Sequence, residues 1–261
     1  MSEGLTHENI QIRHRMRQKQ RRAAMKRRRI VFFTVLSVIV ISIVLFFTPL
    51  FNIKKIEITG NNKIETALIK QSIGSVEDEN LFRLNTKKIT ESVRTIPYVN
   101  DLTIKKSIFP VAITVNILEC QPIGYITSNE SYIIIDKDFK VLEISENKIE
   151  NLTEIVGFGV TAANEGAIIS IDDNEKLLAS IECISKMIEQ EIMINVGTLN
   201  FTDMNNITFT YENRLDVVCG SSVDFSKKIG MFYMALNSDK LTANSRGTID
   251  ISVTGKAIYT P

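Results

Sequence analysis

The amino-acid sequence predicts an α+β protein in which a basic cytoplasmic tail and one transmembrane helix precede two extracytoplasmic modules. Three observations support this: the charges are split along the chain, an uncharged apolar segment follows the basic end, and the remainder alternates strand and helix patterns. The first module should have the order β-α-α-β-β, and the second should be a mostly antiparallel β domain with helices. The predicted parts are the tail over 1–29, the membrane anchor over 30–50, and the two modules over 51–120 and 121–261.

The net charge conceals an uneven distribution. The chain has 31 Lys and Arg against 30 Asp and Glu, but residues 1–29 hold ten Lys and Arg against two Glu, so the tail carries +8 and the remainder −7. A basic run without interleaved aromatic residues offers phosphate attraction alone, and beside an apolar segment it favours anionic lipid over a nucleic-acid arm. We expect contact with the lipid bilayer and no nucleic acid.

The apolar segment is long enough to cross a bilayer. No charged residue occurs between Ile30 and Ile53, and about 20 helical residues span the hydrocarbon core. A cleaved signal peptide has a shorter apolar stretch followed by small residues, whereas 46–51 is bulky, so we expect an uncleaved anchor. The basic block over 26–29 predicts a cytoplasmic N-terminus and an extracytoplasmic C-terminus.

The first module shows a strand, two short helices and a hairpin. The strand over 51–60 ends at Gly60, and the hairpin has a proline-bearing connection over 107–110. Apolar positions that predict the helices are Ile64, Ala67, Leu68 and Ile73 before Gly74, then Ile89, Val93 and Ile96 before Pro97, with Asn85 or Thr86 as the second cap.

The second module shows short strands and two longer helices. A hairpin over 132–135 and 139–144 surrounds an acidic turn, and further strands are predicted over 198–201, 207–211, 215–219 and 247–253. The first helix, over 174–191, should be capped by Asp172 and should bury Leu178, Ile181, Ile184, Ile188 and Ile192; the second should bury Phe225, Ile229, Phe232 and Leu236.

The sequence offers little for catalysis. Both histidines lie in the tail, which excludes His-based triads and His zinc sites from the rest of the chain. Acidic clusters over 77–79 and 172–173 suit a solvated loop and a helix cap, Gly157-Phe-Gly159 reads as a turn, and no GxSxG or SxxK motif occurs. We predict no catalytic residue, no cofactor, no metal and no enzymatic activity, with three cysteines that are core residues: Cys120, Cys183 and Cys219.

The first module resembles the POTRA domain, and its details resemble the FtsQ/DivIB family of bacterial cell-division proteins. Its matching positions are spaced as in that family, directly after an anchor with a basic tail. They are the strand from Phe51 to Gly60, Gly74, Asn80-Leu81-Phe82 with Leu84, Ile96-Pro97-Tyr98-Val99, Pro110, and Val115, Ile117, Glu119, Pro122, Ile123 and Gly124. The resemblance extends more faintly to the C-terminus.

This resemblance implies a non-enzymatic bitopic scaffold at the division septum of the cell membrane. Its partners would be small bitopic coiled-coil proteins of the FtsB/DivIC and FtsL type and a septal peptidoglycan synthase, with the first module as a docking platform that helps localisation to mid-cell. A POTRA-bearing translocation or assembly component is one alternative, although such proteins normally continue into an outer-membrane barrel. An anchored extracytoplasmic enzyme is the other.

The resemblance also implies where partners bind. In that family the last strands of the β domain receive a partner segment by β-addition, through backbone hydrogen bonds along an exposed edge. The expected contacts are Ser252, Val253, Lys256, Ala257 and Ile258, in a strand that alternates up to Val253 before Thr254-Gly255 breaks it. An ordinary terminal hairpin that closes the domain is the alternative.

Overall fold

The structure is a computed structural model that describes residues 3–239 and 241–261, with side chains from Met25 onward. The chain forms two compact units. The first holds the described residues up to Glu57 together with Ser75–Asn85 and Lys105–Thr114, and the second holds Ile58–Gly74, Thr86–Ile104 and Val115–Pro261. The predicted domain boundaries stay a prediction.

The first unit begins with a long helix, α1 (Glu3–Phe47). Among the described residues, one stretch of helix is long and apolar enough to cross a membrane, Met25–Phe47, and its side chains are exposed. This agrees with the predicted span. The side chains of residues 3–24 lie outside the described part, so the contacts expected of the basic tail stay a prediction.

A three-stranded sheet follows, and it confirms the predicted order β-α-α-β-β. Its elements are β1 (Lys55–Thr59), α2 (Thr66–Ile73), α3 (Thr86–Arg94), β2 (Val99–Ile108) and β3 (Val111–Glu119), with the strand order β1-β3-β2. Two details differ. The strand predicted from Phe51 starts at Lys55, because Pro49–Phe51 forms a 3₁₀ turn and Ile53 N donates to Glu79 O at 2.9 Å. In α2, Leu68 was predicted on the apolar face but is exposed. Ile69 is buried in its place, because it lies four residues before the buried Ile73 and so on the same face of the helix.

The strands β1 and β3 run in the same direction. Lys54 N donates to Val111 O at 3.1 Å at the start of the two strands, and farther along Thr59 Oγ1 donates to Asn116 Oδ1 at 3.1 Å. Residue numbers therefore rise together along the pair. Both strands start at one end of the sheet, and the turn between β2 and β3 lies at that same end.

The second unit is dominated by a nine-stranded sheet. Its neighbouring strands form five antiparallel and three parallel pairs, which agrees with the predicted, mostly antiparallel β domain. The strand order is β14-β13-β12-β11-β10-β7-β4-β5-β6. The strands are β4 (Gly124–Ser128), β5 (Ser131–Ile135), β6 (Val141–Ser145), β7 (Thr153–Val156), β10 (Val196–Asn200), β11 (Ile207–Tyr211), β12 (Leu215–Gly220), β13 (Gly247–Asp250) and β14 (Ile258–Thr260); β8 (Val160–Ala162) and β9 (Ser170–Ile171) form a separate pair.

Helices α4 (Asn174–Glu189) and α5 (Phe225–Leu236) contribute to the core of this unit. The predicted face of α5 is confirmed, with Phe232 buried against Phe209 and Tyr211. The predicted cap and face of α4 are partly wrong. Asp173, not Asp172, accepts the amide of Lys176 at 2.9 Å, and the buried residues are Leu177, Ser180, Cys183, Ile184 and Met187, while Leu178 is 67% exposed and Ile188 is also exposed.

All three cysteines are buried and free, as predicted for core residues. Burial raises the pKa of the Cys183 thiol to about 12, and burial with the Asp136 carboxyl raises that of Cys120 to about 12. Burial also raises the pKa of Cys219. Since the thiolate is the reactive form, none of the three should react at neutral pH.

We therefore expect the folded chain to resist a thiol reagent such as Ellman's reagent at pH 8. Unfolding in guanidinium should release all 3 thiols for reaction. Rapid reaction of one thiol in the folded chain would show that its site opens to solvent.

Candidate partner-binding edge

The last strand, β14, forms one end of the nine-stranded sheet. It pairs with β13 in antiparallel register, with Thr248 opposite Thr260 and Asp250 opposite Ile258. Its outer edge pairs with no other strand in the part of the chain that the structure describes. Such an edge presents backbone N–H and C=O groups to an incoming strand.

A glycine and a tyrosine hold β14 in place. Gly247 has φ +133°, and a Cβ at this position would lie 2.2 Å from the carbonyl oxygen of Thr260, so the two strands approach closely only because residue 247 has no side chain. On β14 itself, the Tyr259 hydroxyl donates to Arg246 O at 2.7 Å. The Arg214 guanidinium donates to Ser245 O at 2.8 Å and so fixes the chain that leads into β13.

The predicted strand over 247–253 ends early, at Asp250. Ile251 N still donates to Val218 O on β12 at 2.9 Å, but the next amide, that of Ser252, donates to the Asp250 carboxylate at 2.8 Å. A carboxylate that accepts the amide two residues on forms a turn in place of a strand ladder. Val253, which the alternation places on the same face as the buried Ile249 and Ile251, is consequently 63% exposed.

The Asp250 carboxylate is stabilised in its charged form. Hydrogen bonds from Ser252 hold its pKa below the usual range, with a smaller contribution from Lys256. Since Asp250 is charged at neutral pH, the turn that it forms is present under physiological conditions. Its contribution should be lost only as the pH falls through this lowered pKa.

The structure brings the predicted contact residues to one corner of the sheet. Ser252, Val253, Lys256 and Ala257 lie in the turn between β13 and β14, and Ile258 is the first residue of β14. Val253, Lys256, Ala257 and Ile258 are exposed, while Ser252 is half-buried. The remaining residues of the edge strand, Tyr259 and Thr260, were not singled out from sequence. Their backbone position became evident only from the strand order.

Tyr98, from the matching sequence Ile96-Pro97-Tyr98-Val99, occupies a polar junction within the second unit. Its hydroxyl donates to Glu143 Oε2 at 2.9 Å and accepts from Lys63 Nζ at 2.7 Å. Nearby, Lys140 Nζ donates to Val99 O at 2.6 Å. Burial and the Glu143 carboxylate raise the pKa of Tyr98, so its hydroxyl remains a donor at physiological pH. These bonds join the start of β2 to β6.

An apolar groove of about 570 Å³ also lies in the second unit, and two of its three acidic residues, Glu119 and Asp136, have structural roles. The Glu119 carboxylate accepts the amides of Asn62, Lys63 and Ile64, each at 2.9 Å through Oε1. The Asp136 carboxylate accepts the backbone amides of Asp138 and Lys140 in the acidic turn of the β5–β6 hairpin. No group of three or more His, Cys, Asp or Glu that could hold a metal ion occurs among the described residues.

Comparison with known proteins agrees with the family predicted from sequence. A family model described as "POTRA domain, FtsQ-type" matches residues 51–119. The cell division protein DivIB of Clostridium acetobutylicum is 30% identical over 215 residues, which cover 81% of this chain and 83% of that protein.

More distant relatives extend over similar lengths. The cell division protein DivIB of Clostridium tetani is 26% identical over 228 residues, which cover 87% of this chain and 85% of that protein. The cell division protein FtsQ of Corynebacterium glutamicum is 24% identical over 190 residues, which cover 72% of this chain and 80% of that protein. The chain therefore belongs to the DivIB/FtsQ family of bacterial cell-division proteins.

Proposed function

We propose that this cell-division protein is a non-enzymatic bitopic scaffold that recruits or stabilises other division proteins at the septum. Its partners would be small bitopic coiled-coil proteins of the FtsB/DivIC and FtsL type and the septal peptidoglycan synthase. The observation that carries the proposal is the outer edge of β14, which pairs with no other described strand and lies next to the exposed Val253 and Ile258. The structural roles of Glu119 and Asp136 in the apolar groove favour a scaffold over an enzyme.

Binding by β-addition suits this edge. An extended partner segment would gain backbone hydrogen bonds along β14, and contacts with Val253 and Ile258 would add specificity. Lys256 carries an exposed charge beside the edge, which discourages pairing with unrelated strands.

The helix Met25–Phe47 would anchor the chain in the cell membrane. The basic residues Lys26, Arg27, Arg28 and Arg29 would hold the N-terminal side in the cytoplasm. The modules beyond residue 50 would then face the extracytoplasmic space, where the division partners assemble.

A charge placed on the edge should weaken partner capture. We expect Ile258→Glu in the full-length, detergent-solubilised chain to lower the affinity for a coiled-coil partner of the FtsB/DivIC type at least tenfold, since a buried contact would become an unpaired carboxylate. The measurement is a binding titration with the purified partner. Ile194→Glu is the matched control, because Ile194 is also exposed and apolar but lies in the turn before β10, a strand four positions away from β14 in the sheet.

Equal binding by the Ile258→Glu variant and its control would place the partner surface elsewhere on the chain. A proline at Ser252 is a poor test of β-addition. The amide that it removes donates to Asp250 and is not available to an added strand.

A further inference from the structure

The turn between β2 and β3 carries an unusually exposed aromatic side chain. Phe109 is 91% exposed and its neighbour Ile108 is 44% exposed, and Pro110 completes the tip. We call Ile108, Phe109 and Pro110 the hairpin tip. An aromatic ring held fully in water at the end of a rigid hairpin indicates a surface that contacts something apolar.

The hairpin tip points toward the end of α1. The chain leaves α1 at Phe47 and enters β1 at Lys55, so β1 runs away from the helix end. Because β3 is parallel to β1, the turn that precedes β3 projects in the opposite direction, back toward the helix. The hydrogen bond from Lys54 N to Val111 O fixes the base of the tip beside the start of β1.

The end of α1 and the base of the hairpin are joined through one turn of the first unit. Asn80 Nδ2 donates to the carbonyl oxygen of Leu45, in the last turn of α1, at 3.0 Å and to that of Thr48, just after the helix, at 3.3 Å. The next residue, Leu81, is bound to the hairpin, because Lys106 Nζ on β2 donates to Leu81 O at 3.0 Å.

Aromatic packing reinforces this connection. The Phe82 ring centroid lies 6.4 Å from that of Phe46 on α1 and 5.4 Å from that of Phe51. Asn52 forms a bridge with Asn80, and Lys54 follows only two residues later, about 7 Å of extended chain. These contacts therefore hold the base of the hairpin tip close to the C-terminal end of α1.

We propose that the hairpin tip inserts into the membrane interface of the leaflet in which α1 ends, as a second membrane contact of the chain. The inference rests on the proposed anchoring by α1, because continuity with that helix identifies the apolar partner as lipid. Phe109 and Ile108 would enter the headgroup and upper acyl region, where aromatic side chains are favoured. Two exposed lysines lie close to the tip: Lys105 precedes it on β2, and Lys54 pairs with Val111 just after it. Their charged ends would remain among the headgroups. Together, α1 and the hairpin tip would fix the tilt of the three-stranded sheet relative to the bilayer. With α1 as the one contact, that tilt could vary.

Tryptophan fluorescence can test this directly, because the chain contains 0 Trp. Three single-tryptophan variants of the full-length chain would be reconstituted in phosphatidylcholine and phosphatidylcholine–phosphatidylglycerol vesicles: Phe109→Trp at the tip, Phe47→Trp at the helix end, and Thr103→Trp as control. Thr103 is exposed on β2, six residues or about 20 Å farther along the hairpin. Brominated lipids would serve as the quencher.

We expect brominated lipids to quench Phe109→Trp and Phe47→Trp at least twofold more than Thr103→Trp, with emission shifted to shorter wavelength. Quenching of Phe47→Trp with a Phe109→Trp signal equal to that of Thr103→Trp would overturn the tip proposal and leave the anchor intact; the exposed ring would then be available to a protein. Absence of quenching at Phe47→Trp would instead refute the anchor and the proposal that rests on it. Circular dichroism of each variant would establish that it is folded.

Discussion

Replacing Gly247 with valine should release β14 from the sheet and abolish the candidate partner-binding edge. The positive φ of +133° at this position disfavours any side chain, and a Cβ would meet Thr260 O at 2.2 Å and atoms of Pro261 at 2.8–2.9 Å. The contacting atoms are backbone, so they cannot move aside without breaking the pairing between β13 and β14. We expect a loss of about 2–3 kcal/mol in the free energy of unfolding, from backbone strain and lost strand pairing.

Hydrogen exchange and partner binding should both report this change. The amides of Ile258 and Thr260, which face β13, should lose protection, and the proposed coiled-coil partner should bind at least tenfold more weakly. Gly230→Ala is the control, because Gly230 lies in α5 with nothing within 4 Å of an added Cβ and should tolerate alanine with a gain of up to about 1 kcal/mol. Unchanged protection at β14 in the valine variant would show that the strand accommodates a side chain. If the β14 amides lost protection but the partner bound with unchanged affinity, β14 would not be the partner-binding strand.

Strong local periodicity explains which elements the sequence predicted well. In α5, Phe225, Ile229 and Phe232 repeat at helical spacing and are all buried, whereas Tyr233 and Met234, which do not fit this spacing, are exposed. In α4, Leu177 and Leu178 are adjacent, so the pattern fits two faces that differ by one residue. The sheet against which the helix packs decides between them, and it buries Leu177.

Strands with distant partners were harder to predict. The central strands β4 and β7 pair in parallel, and β7 also pairs in parallel with β10, so their register depends on residues far away in the chain. Neither β4 nor β7 was predicted. No strand adjacent to β7 in the chain pairs with it, and the tight turn from β4 to β5, at Asn129 and Glu130, contains no glycine although both residues have positive φ.

The candidate edge shows how a polar side chain overrides an alternating pattern. Ile249 and Ile251 are buried as the alternation predicts, but the Asp250 carboxylate accepts the Ser252 amide and turns the chain before Val253. Similarly, sequence identified 107–110 as a connection, whereas the exposure of Phe109 and its direction depend on the parallel pairing of β1 with β3. The turn at Asp250 and the direction of the hairpin that carries Phe109 both depend on hydrogen bonds. The apolar periodicity of the sequence does not predict which residues form them.

Replacing Tyr98 with alanine should destabilise the second unit by about 2–3 kcal/mol, as expected for the loss of a large, half-buried aromatic side chain and its hydrogen bonds. Tyr98 packs against the buried cluster that contains Cys120 and Leu142, and its hydroxyl links Lys63 to Glu143. Without the ring, the Glu143 carboxylate loses its donor and the start of β2 loses a contact with β6. The measurement is the free energy of unfolding by guanidinium titration of the full-length chain, together with hydrogen exchange at β2 and β6.

Two further variants separate the ring from its hydroxyl. Tyr98→Phe keeps the packing and the contact with Lys63, whose Nζ lies 4.0 Å from the ring centroid, so it should cost only about 1 kcal/mol. Tyr233→Ala removes an exposed tyrosine from α5 and should change stability by less than about 0.5 kcal/mol. Because burial and the Glu143 carboxylate raise the pKa of Tyr98, the contribution of the hydroxyl should be constant through neutral pH and should decline only above the ordinary tyrosine pKa of about 10. If Tyr98→Ala were no more destabilising than Tyr233→Ala, the hydrogen bonds of Tyr98 would be incidental, and the connection between β2 and β6 would depend on Lys140 instead.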